Sequence, residues 1–375
     1  MPASDRGSGG LFFDIYHPVQ ALMFRPVIEA FAARGRTCHV FARDKDVTLG
    51  LLDRFGIKAE VLALRRRGFL GNAIELMVRE SRLLRRALRE RPLAIIGTSV
   101  HAARVGRLSK AVSIVVNDDN AATSPLFARL AYPFADLIVK PQCLAFEGHR
   151  QQITFRANQQ LFYLHPSRFQ ADPAVRRELG IEPGRRFAVI RLAAHDAHHD
   201  TGVHGLGRNQ IGEVALRIPK DIVVFVSLEK ARALPGGWRP FSLPPDRLHH
   251  ALAAAEFFLG DGQTVTAEAA VLGTPALRFT EFVGRISYLN ELEKYGLVWG
   301  FRRGQEDQML ARLDEVLAGR PSRLELSASR NRLLSDMIDP LPWFMDLVSR
   351  AIGDVVNRGR VSRDLAGRLR SEVVA

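Results

Sequence analysis

The residues with the clearest chemical potential form a glycine-rich turn between an apolar run and a helix of small residues. Gly260-Asp261-Gly262-Gln263-Thr264 (the 260–264 turn) follows the apolar run EFFL. A helix that starts directly after a strand points its free N–H groups and the positive end of its dipole beyond the strand, and glycines let the backbone approach a ligand closely. The pattern predicts a phosphate site. An ordinary capped helix of an α/β protein is the alternative.

Hydroxyl and carboxylate side chains continue from this turn into the helix. Thr264 and Thr266 add hydroxyl donors. Glu268 lies four residues after Thr264, one helical turn deeper on the same face. A carboxylate there can accept hydrogen bonds from two vicinal hydroxyls of a ribose. Phosphate and ribose contacts together predict a nucleotide site.

A second polar cluster, residues 191–204, follows the apolar run FAVI and contains four histidines and two aspartates. His195, His198, Asp200 and His204 could ligate zinc or a harder cation, but their spacing matches no specific zinc pattern. We therefore predict no metal site and expect His195 to donate to phosphate or sugar. Arg191 offers phosphate a planar, permanently charged fork, with a structural ion pair as the alternative.

Two further polar residues close the next apolar run, DIVVFVS. Ser227 and Glu229 stand where they could contact the base or the ribose of a nucleotide. Simple loop polarity is the alternative.

Apolar runs alternate with helical patterns in two series, which predicts parallel sheets covered by helices on both faces. Residues 164–186, with three prolines and two glycines, interrupt the alternation. The predicted fold class is α/β, with two Rossmann-like doubly wound domains. We place an N-terminal domain at 11–165, a C-terminal domain at 185–340, and a C-terminal helix and tail at 341–375.

Composition limits the remaining possibilities. Two cysteines in 375 residues exclude a disulfide framework and a four-cysteine zinc module. No apolar run reaches the roughly 18 to 20 residues that cross a bilayer, and residues 1–10 lack the apolar core of a secretory signal, so we expect a cytoplasmic protein. The net charge of +13 suits an anionic partner, although a coding bias toward arginine would explain it equally well.

The run GDGQTVTAEAAVLGTPAL, at residues 260–277, resembles the nucleotide-binding signature of GT-B-fold glycosyltransferases and of non-hydrolysing UDP-GlcNAc 2-epimerases. The chain is more closely similar to an uncharacterised family of predicted GT-B glycosyltransferases from archaea and bacteria. Four further stretches agree with that family, and together they cover most of residues 11–300: DIYHPVQALMFRPVIEAF, RLAAHDAHHDTG, PPDRLHHALAAAEFFLGDG and ISYLNELEKYGLV.

This resemblance implies that the two domains stand in a GT-B arrangement. The C-terminal domain, at 185–340, is then the nucleotide-sugar domain that holds most of a nucleoside diphosphate, and the N-terminal domain, at 11–165, binds the acceptor across a cleft. Carried over by position, Gly262, Gln263 and Thr264 hold the diphosphate and Glu268 the ribose. The acidic and histidine motifs of the epimerases are not found in the N-terminal half, which weakens that activity in particular.

Sugar transfer also requires a base that takes the proton of the acceptor hydroxyl. His17 ends the first predicted strand, and an imidazole with a pKa near 6.5 suits the task. Asp118, at the end of SIVVND, is the rival base. A helix cap for His17 and a polar turn at Asp118 are the structural alternatives.

Arginines are concentrated in one predicted helix and the segment before it, as Arg65-Arg66-Arg67 and six more between residues 79 and 91. A solvated helix face is the default interpretation. The functional one is peripheral contact with the inner face of a membrane, which would bring a lipid-linked acceptor to the site. Nucleic acid is not expected as a partner because no aromatic platform accompanies the charge.

Together these features predict a GT-B glycosyltransferase that needs neither metal nor cofactor. It would move a sugar from a nucleotide-sugar donor, predicted to be UDP-linked, to a glycan or lipid-linked acceptor in cell-surface or other glycan assembly. A UDP-sugar 2-epimerase or hydrolase, and a non-catalytic nucleotide-sugar-binding protein, are the alternatives.

Overall fold

The computed structural model describes residues 9–44, 47–64, 68–117, 124–144, 147–193, 205–229, 233–358, 362 and 364–373. The chain divides into two compact units. Unit 1 comprises Met1–Tyr163 and Ile338–Ala375, and unit 2 comprises Leu164–Met337. The second unit is therefore an insertion between the body of the first unit and its C-terminal segment.

Unit 1 is built on a parallel sheet covered by helices. Its described elements are β1 (Leu11–Ile15), α1 (Pro18–Ala33), β2 (Cys38–Ala42), α2 (Thr48–Arg54), β3 (Ala59–Val61), α3 (Gly68–Glu90), β4 (Ala94–Gly97), α4 (Val100–Ser109), β5 (Val112–Val116), α5 (Pro125–Ala131), a 3-10 turn (Tyr132–Phe134), β6 (Leu137–Pro141), β7 (Gln152–Phe155) and α6 (Leu161–Leu164). The seven described strands lie in the order β3-β2-β1-β4-β5-β6-β7. The order reverses between β1 and β4, and ligands of doubly wound folds bind beyond the strand ends at such a point.

Unit 2 repeats this plan. Its described elements are α7 (Ala174–Glu178), β8 (Arg186–Leu192), α8 (Arg208–Arg217), β9 (Ile222–Leu228), β10 (Arg239–Pro240), a 3-10 turn (Pro245–Arg247), α9 (Leu248–Ala254), β11 (Phe258–Gly260), α10 (Thr264–Val271), β12 (Ala276–Phe279), α11 (Ser287–Lys294), β13 (Val298–Phe301), α12 (Glu306–Leu317) and α13 (Arg323–Asp336). The described strands lie in the order β10-β9-β8-β11-β12-β13. The order reverses here between β8 and β11.

The last two described helices, α14 (Pro340–Arg358) and α15 (Leu365–Val373), belong to unit 1. Helix α14 contacts α1 and β5, and α15 contacts β7. Aromatic packing holds α14 in place, since the Trp343 ring lies 5.4 Å from that of Phe155 and the Phe344 ring lies 5.6 Å from that of Phe162. The segment that the sequence analysis sets apart at 341–375 thus completes the core of the first unit.

Burial of the strands follows from the sheet architecture. Every residue of β1, β5 and β6 is buried, as expected for parallel strands covered on both faces. Two charged residues of this set, Asp14 in β1 and Lys140 in β6, have no exposed surface. A buried carboxylate must be paired, and its partners define part of the candidate site in unit 1.

Candidate functional site

The 260–264 turn lies at the topological switch point of unit 2. Gly260 closes β11 opposite Arg191 of β8, and α10 begins at Thr264. The first N–H groups of α10 have no acceptor in the preceding turn of the helix, so they are available beyond the strand ends. The turn predicted from the sequence therefore occupies the place where this type of sheet binds ligands.

Close packing explains the first glycine of the turn. A Cβ at Gly260 would lie 2.7 Å from Cζ of Phe258 and 3.1 Å from the Arg191 carbonyl oxygen. Gly262 differs, because no atom of the described residues lies within 4 Å of the Cβ position there. Gly260 is thus packed closely against Phe258 and β8, whereas the described residues leave room for a ligand at Gly262.

Asp261 and Thr266 hold the backbone of the turn. The buried Asp261 accepts a hydrogen bond through Oδ1 from the Ala193 N–H at 2.7 Å, which ties the end of β8 to the turn. Thr266 is fully buried, and its Oγ1 donates to the Gly262 carbonyl at 2.6 Å. The suggestion that Thr266 supplies a hydroxyl to a ligand is wrong, because that hydroxyl fixes the Gly262 peptide.

A buried arginine that the sequence analysis did not name supports Gln263. Arg278 of β12 has no exposed surface, and its Nη1 donates to Gln263 Oε1 at 2.8 Å. Its Nη2 lies 3.3 Å from Glu293 Oε1 of α11. Desolvation lowers the pKa of Arg278, and the neighbouring Glu293 carboxylate opposes that shift. The signal in the sequence was an arginine inside the apolar run TPALRFT, which follows the turn directly.

Three residues predicted to contact the nucleotide meet at the ends of β8 and β9. Arg191 pairs in register with Ser227, donates to Ser227 Oγ at 2.7 Å and forms an ion pair with Glu229 at 2.7 Å. The ion pair that the sequence left open as a structural alternative is therefore present. Contact of Arg191, Ser227 and Glu229 with a nucleotide stays a prediction.

Glu268 lies in α10 and is almost fully buried. Its Oε1 is 3.2 Å from Nε2 of His249, a buried residue of α9. This neighbour was not identified from the sequence, because the two residues come from different helices. The ribose contact of Glu268 stays a prediction.

In unit 1, His17 follows β1 at the switch point between β1 and β4. It is the N-cap residue of α1 and has an extended backbone. Gln20 Oε1 accepts hydrogen bonds from the N–H groups of Tyr16 at 2.6 Å and His17 at 3.2 Å, which fixes the chain at the end of β1.

Strands β1 and β4 pack closely at this switch point. A Cβ at Gly97 of β4 would lie only 2.8 Å from the Asp14 carbonyl oxygen of β1.

A buried charged network lies beneath this edge. Asp14 accepts from the fully buried Arg79 and from Ser99 Oγ. The Arg79 guanidinium also donates to the Ala42 carbonyl at 3.0 Å and lies 4.6 Å from the centre of the Tyr16 ring. Burial, followed by the Asp14 charge, raises the pKa of Tyr16. The end of β1 is therefore held by charges that are paired inside the unit.

The network extends through the Tyr16 hydroxyl, which lies 3.0 Å from His101 Nε2. His101 Nδ1 is 3.3 Å from Glu80 Oε2, and this contact is the main reason why the pKa of Glu80 is lowered. The chain Tyr16–His101–Glu80 thus links the residue next to His17 with α4 and α3.

Arg82, Arg85 and Arg89 of helix α3 are exposed, whereas two other arginines of this helix are paired with acidic residues. Arg79 is buried against Asp14, and Arg86 lies 3.2 Å from Glu60 and 3.1 Å from Glu90. Apolar side chains are exposed near the start of the same helix, namely Ile74 at 38%, Leu76 at 43% and Met77 at 64%.

Several predicted residues lie outside the described part of the chain. These are Asp118, His195, His198, Asp200, His204 and Arg65-Arg66-Arg67. Within the described ranges, no group of three or more histidine, cysteine or acidic side chains has the arrangement of a metal site. None of the described helices combines the length and apolar character needed to span a bilayer.

A surface groove of about 480 Å³ lies elsewhere in unit 2, along β13 and α12. Trp299 and Arg312 are among the residues that line it, and the Arg312 guanidinium lies 5.1 Å from the centre of the Trp299 ring. Glu293 lines the groove and also pairs with Arg278, so the groove adjoins the support of the turn rather than the turn itself.

No protein-family model matches the sequence, and comparison with curated proteins gives no significant match. Solved structures do resemble the fold. The spinosyn forosaminyltransferase SpnP is 14% identical, with 91% of this chain and 99% of that chain covered at a TM-score of 0.65. The S. aureus MnaA–UDP structure is 12% identical, with 93% of this chain and 97% of that chain covered at a TM-score of 0.63. The spinosyn rhamnosyltransferase SpnG with thymidine diphosphate is 16% identical, with 90% of this chain and 99% of that chain covered at a TM-score of 0.61.

These likenesses extend over both units and confirm the fold predicted from the sequence. The chain has the α/β fold of the GT-B class, with two Rossmann-like doubly wound units.

Proposed function

We propose that this protein is a glycosyltransferase that moves a sugar from a nucleoside diphosphate donor to an acceptor hydroxyl. The main observation in support of this proposal is the position of the 260–264 turn. The 260–264 turn stands at the switch point of the sheet in unit 2, where α10 begins and no atom of the described residues lies within 4 Å of the Cβ position at Gly262. Backbone N–H groups and the positive end of a helix dipole suit the diphosphate of such a donor.

The donor site is proposed around that turn. Gly260 and Asp261 shape it, and Gly262, Gln263 and Thr264 bind the diphosphate. Ribose and base contacts are assigned to a second set, Glu268, Arg191, His195, Ser227 and Glu229. UDP in the MnaA structure and thymidine diphosphate in the SpnG structure support a nucleoside diphosphate as the ligand class. We propose a UDP-linked sugar as the donor.

Catalysis is proposed to begin at the acceptor hydroxyl. His17 takes its proton as the oxygen bonds to the anomeric carbon of the donor, while the bond from that carbon to the diphosphate oxygen breaks. The pair of electrons leaves with the nucleoside diphosphate, whose added charge the N–H groups of the turn stabilise. Asp118 is the alternative base. Because the helix start supplies the positive charge density, the proposed reaction needs neither metal nor cofactor.

The acceptor is proposed to be a glycan or a lipid-linked saccharide. The exposed Ile74, Leu76 and Met77 of α3 support peripheral contact with the inner face of a membrane, because apolar side chains can enter the headgroup region beside basic residues. Sedimentation with vesicles of phosphatidylglycerol and phosphatidylcholine tests this contact. Met77→Glu should reduce the bound fraction, and equal binding of both proteins would exclude this part of α3.

Product analysis tests the proposed activity. UDP-linked and dTDP-linked sugars are incubated with and without a mixture of saccharide and lipid-linked acceptors, and released nucleoside diphosphate is measured. We expect release that depends on acceptor. A C2-epimerised sugar or release without acceptor would instead indicate an epimerase or hydrolase. Donor binding without any turnover would indicate a non-catalytic nucleotide-sugar-binding protein.

A further inference from the structure

Arg278 is a fully buried cation directly behind the 260–264 turn. It lies in β12 opposite Gly260 of β11, and its side chain has no exposed surface. Moving a guanidinium out of water is costly, and paired charges in a core are often no more stabilising than apolar residues of the same volume. Its Nε, moreover, is buried without a hydrogen-bond partner among the residues that the structure describes. A buried arginine with these contacts is therefore not explained by the stability of the fold alone.

The contact with Gln263 determines how that side chain is oriented. A guanidinium only donates hydrogen bonds, so the Gln263 atom 2.8 Å from Arg278 Nη1 must be the carbonyl oxygen. The amide nitrogen of Gln263 is then turned away from Arg278. A glutamine side chain without such a partner could present either end of its amide at little cost.

Glu293 of α11 is the second side chain that contacts the Arg278 guanidinium. Its Oε1 lies 3.3 Å from Arg278 Nη2, and it places a negative charge beside the buried cation. Arg278 therefore bridges α11 and the turn, while Gln263 remains partly exposed at the start of α10. The positive charge behind the turn is compensated, and the group offered at the surface of the turn is a neutral hydrogen-bond donor.

We infer that Arg278 is a positioning residue, which holds the Gln263 carboxamide so that its NH₂ group donates to the diphosphate. This inference rests on the proposed function. It adds a specific polar contact to the donor site and explains why a buried arginine lies behind a phosphate turn. Without Arg278, the Gln263 side chain would be free to change rotamer as well as to flip its amide, so that few of its orientations would place the NH₂ group against the anion.

A double-mutant cycle tests the inference. Calorimetry measures binding of UDP, with uridine as the phosphate-free reference, to the full-length protein and to Arg278→Met, Gln263→Ala and the double variant. We expect Arg278→Met to lower UDP affinity about tenfold and to leave uridine affinity unchanged. In the Gln263→Ala background the same substitution should have no further effect, because Arg278 acts through Gln263.

Two conservative variants keep the test informative if Arg278→Met folds poorly. Gln263→Glu can still pair with Arg278 and should keep the free energy of unfolding, yet lose more UDP affinity than Gln263→Ala, because it places a carboxylate beside the diphosphate. Arg278→Lys retains a donor and should recover part of the affinity.

The possible outcomes distinguish failure of this inference from failure of the proposed function. If the unmodified protein binds no nucleoside diphosphate, the proposed function fails before any variant is compared. If it binds UDP and Arg278→Met binds UDP equally well, the positioning role is wrong. Equal losses of UDP and uridine affinity, or an undiminished effect in the Gln263→Ala background, would also overturn it, since either result indicates a general structural role.

Discussion

Substituting Gly262 by valine separates ligand binding by the 260–264 turn from the part that the turn plays in the fold. No atom of the described residues lies within 4 Å of the Cβ position at Gly262, and its φ is not in the left-handed region. Valine should therefore meet neither a clash nor backbone strain. We expect the free energy of unfolding to change by no more than about 0.5 kcal/mol, as for other surface substitutions.

Nucleotide binding should respond very differently. The added side chain would fill the space that we assign to the diphosphate, and it would keep the phosphate oxygens away from the N–H groups of α10. A hydrogen bond to a charged group contributes about 1.5 to 3 kcal/mol. Loss of one such bond should lower the affinity for UDP by roughly 10-fold to 100-fold, and loss of a second bond should lower it further.

Calorimetric titration with UDP measures this loss, and Gly212→Val is the matched control. Gly212 lies on an exposed position of α8 in the same unit, and its Cβ position is equally free of contacts with described atoms. Valine there should leave UDP affinity unchanged and stability equal or slightly higher. If folded Gly262→Val binds UDP as tightly as Gly212→Val does, the diphosphate does not lie at this turn.

Three further predictions concern the metal, the base and the buried charges. Activity should survive EDTA, because the helix start supplies the positive charge; complete loss that added metal restores would make the histidines of residues 191–204 a ligand set instead. His17→Ala should lower kcat by about 10² to 10⁴-fold and keep donor affinity, as loss of proton transfer requires. If His17→Ala keeps turnover and Asp118→Asn abolishes it, the base is Asp118, and if both keep turnover neither is. Arg79→Met should reduce stability by about 3 to 5 kcal/mol in a urea titration, because it leaves the buried Asp14 carboxylate without its countercharge. Arg86→Met, which breaks only partly exposed pairs on the same helix, should cost less than about 1 kcal/mol, and equal losses would contradict the assignment.

Local sequence patterns predicted the elements that carry long apolar runs. Strands β1, β5, β8 and β9 were all evident because apolar residues predominate in each. Strand β7 was not, since its four residues, QITF, alternate polar and apolar side chains within a stretch that contains many turn residues. The packing of α14 on β7 and α6 was also not predictable, because it joins residues nearly 200 positions apart.

The difference between local patterns and long-range contacts applies to the candidate site as well. The 260–264 turn is a local motif of strand, glycines and helix, so its place in the fold could be predicted. Arg278 and Gln263 are brought together by the pairing of β11 with β12, and Arg79 and Asp14 by a helix crossing the sheet. Contacts of this kind depend on register and packing, which a single sequence does not reveal. Arg191 and Glu229 were each noted, but only the alignment of β8 with β9 makes them partners.

Binding of a nucleoside diphosphate by the intact protein is the most direct test of the central claim. Thermal unfolding is followed in EDTA with UDP, dTDP, UMP and uridine, each over a range of concentrations. A specific ligand at 100 times its Kd raises the free energy of unfolding by about 2.7 kcal/mol. We predict stabilisation by UDP that saturates, exceeds that by UMP and is larger again than that by uridine. Stabilisation that does not depend on the diphosphate, or none by any nucleotide, would contradict the account.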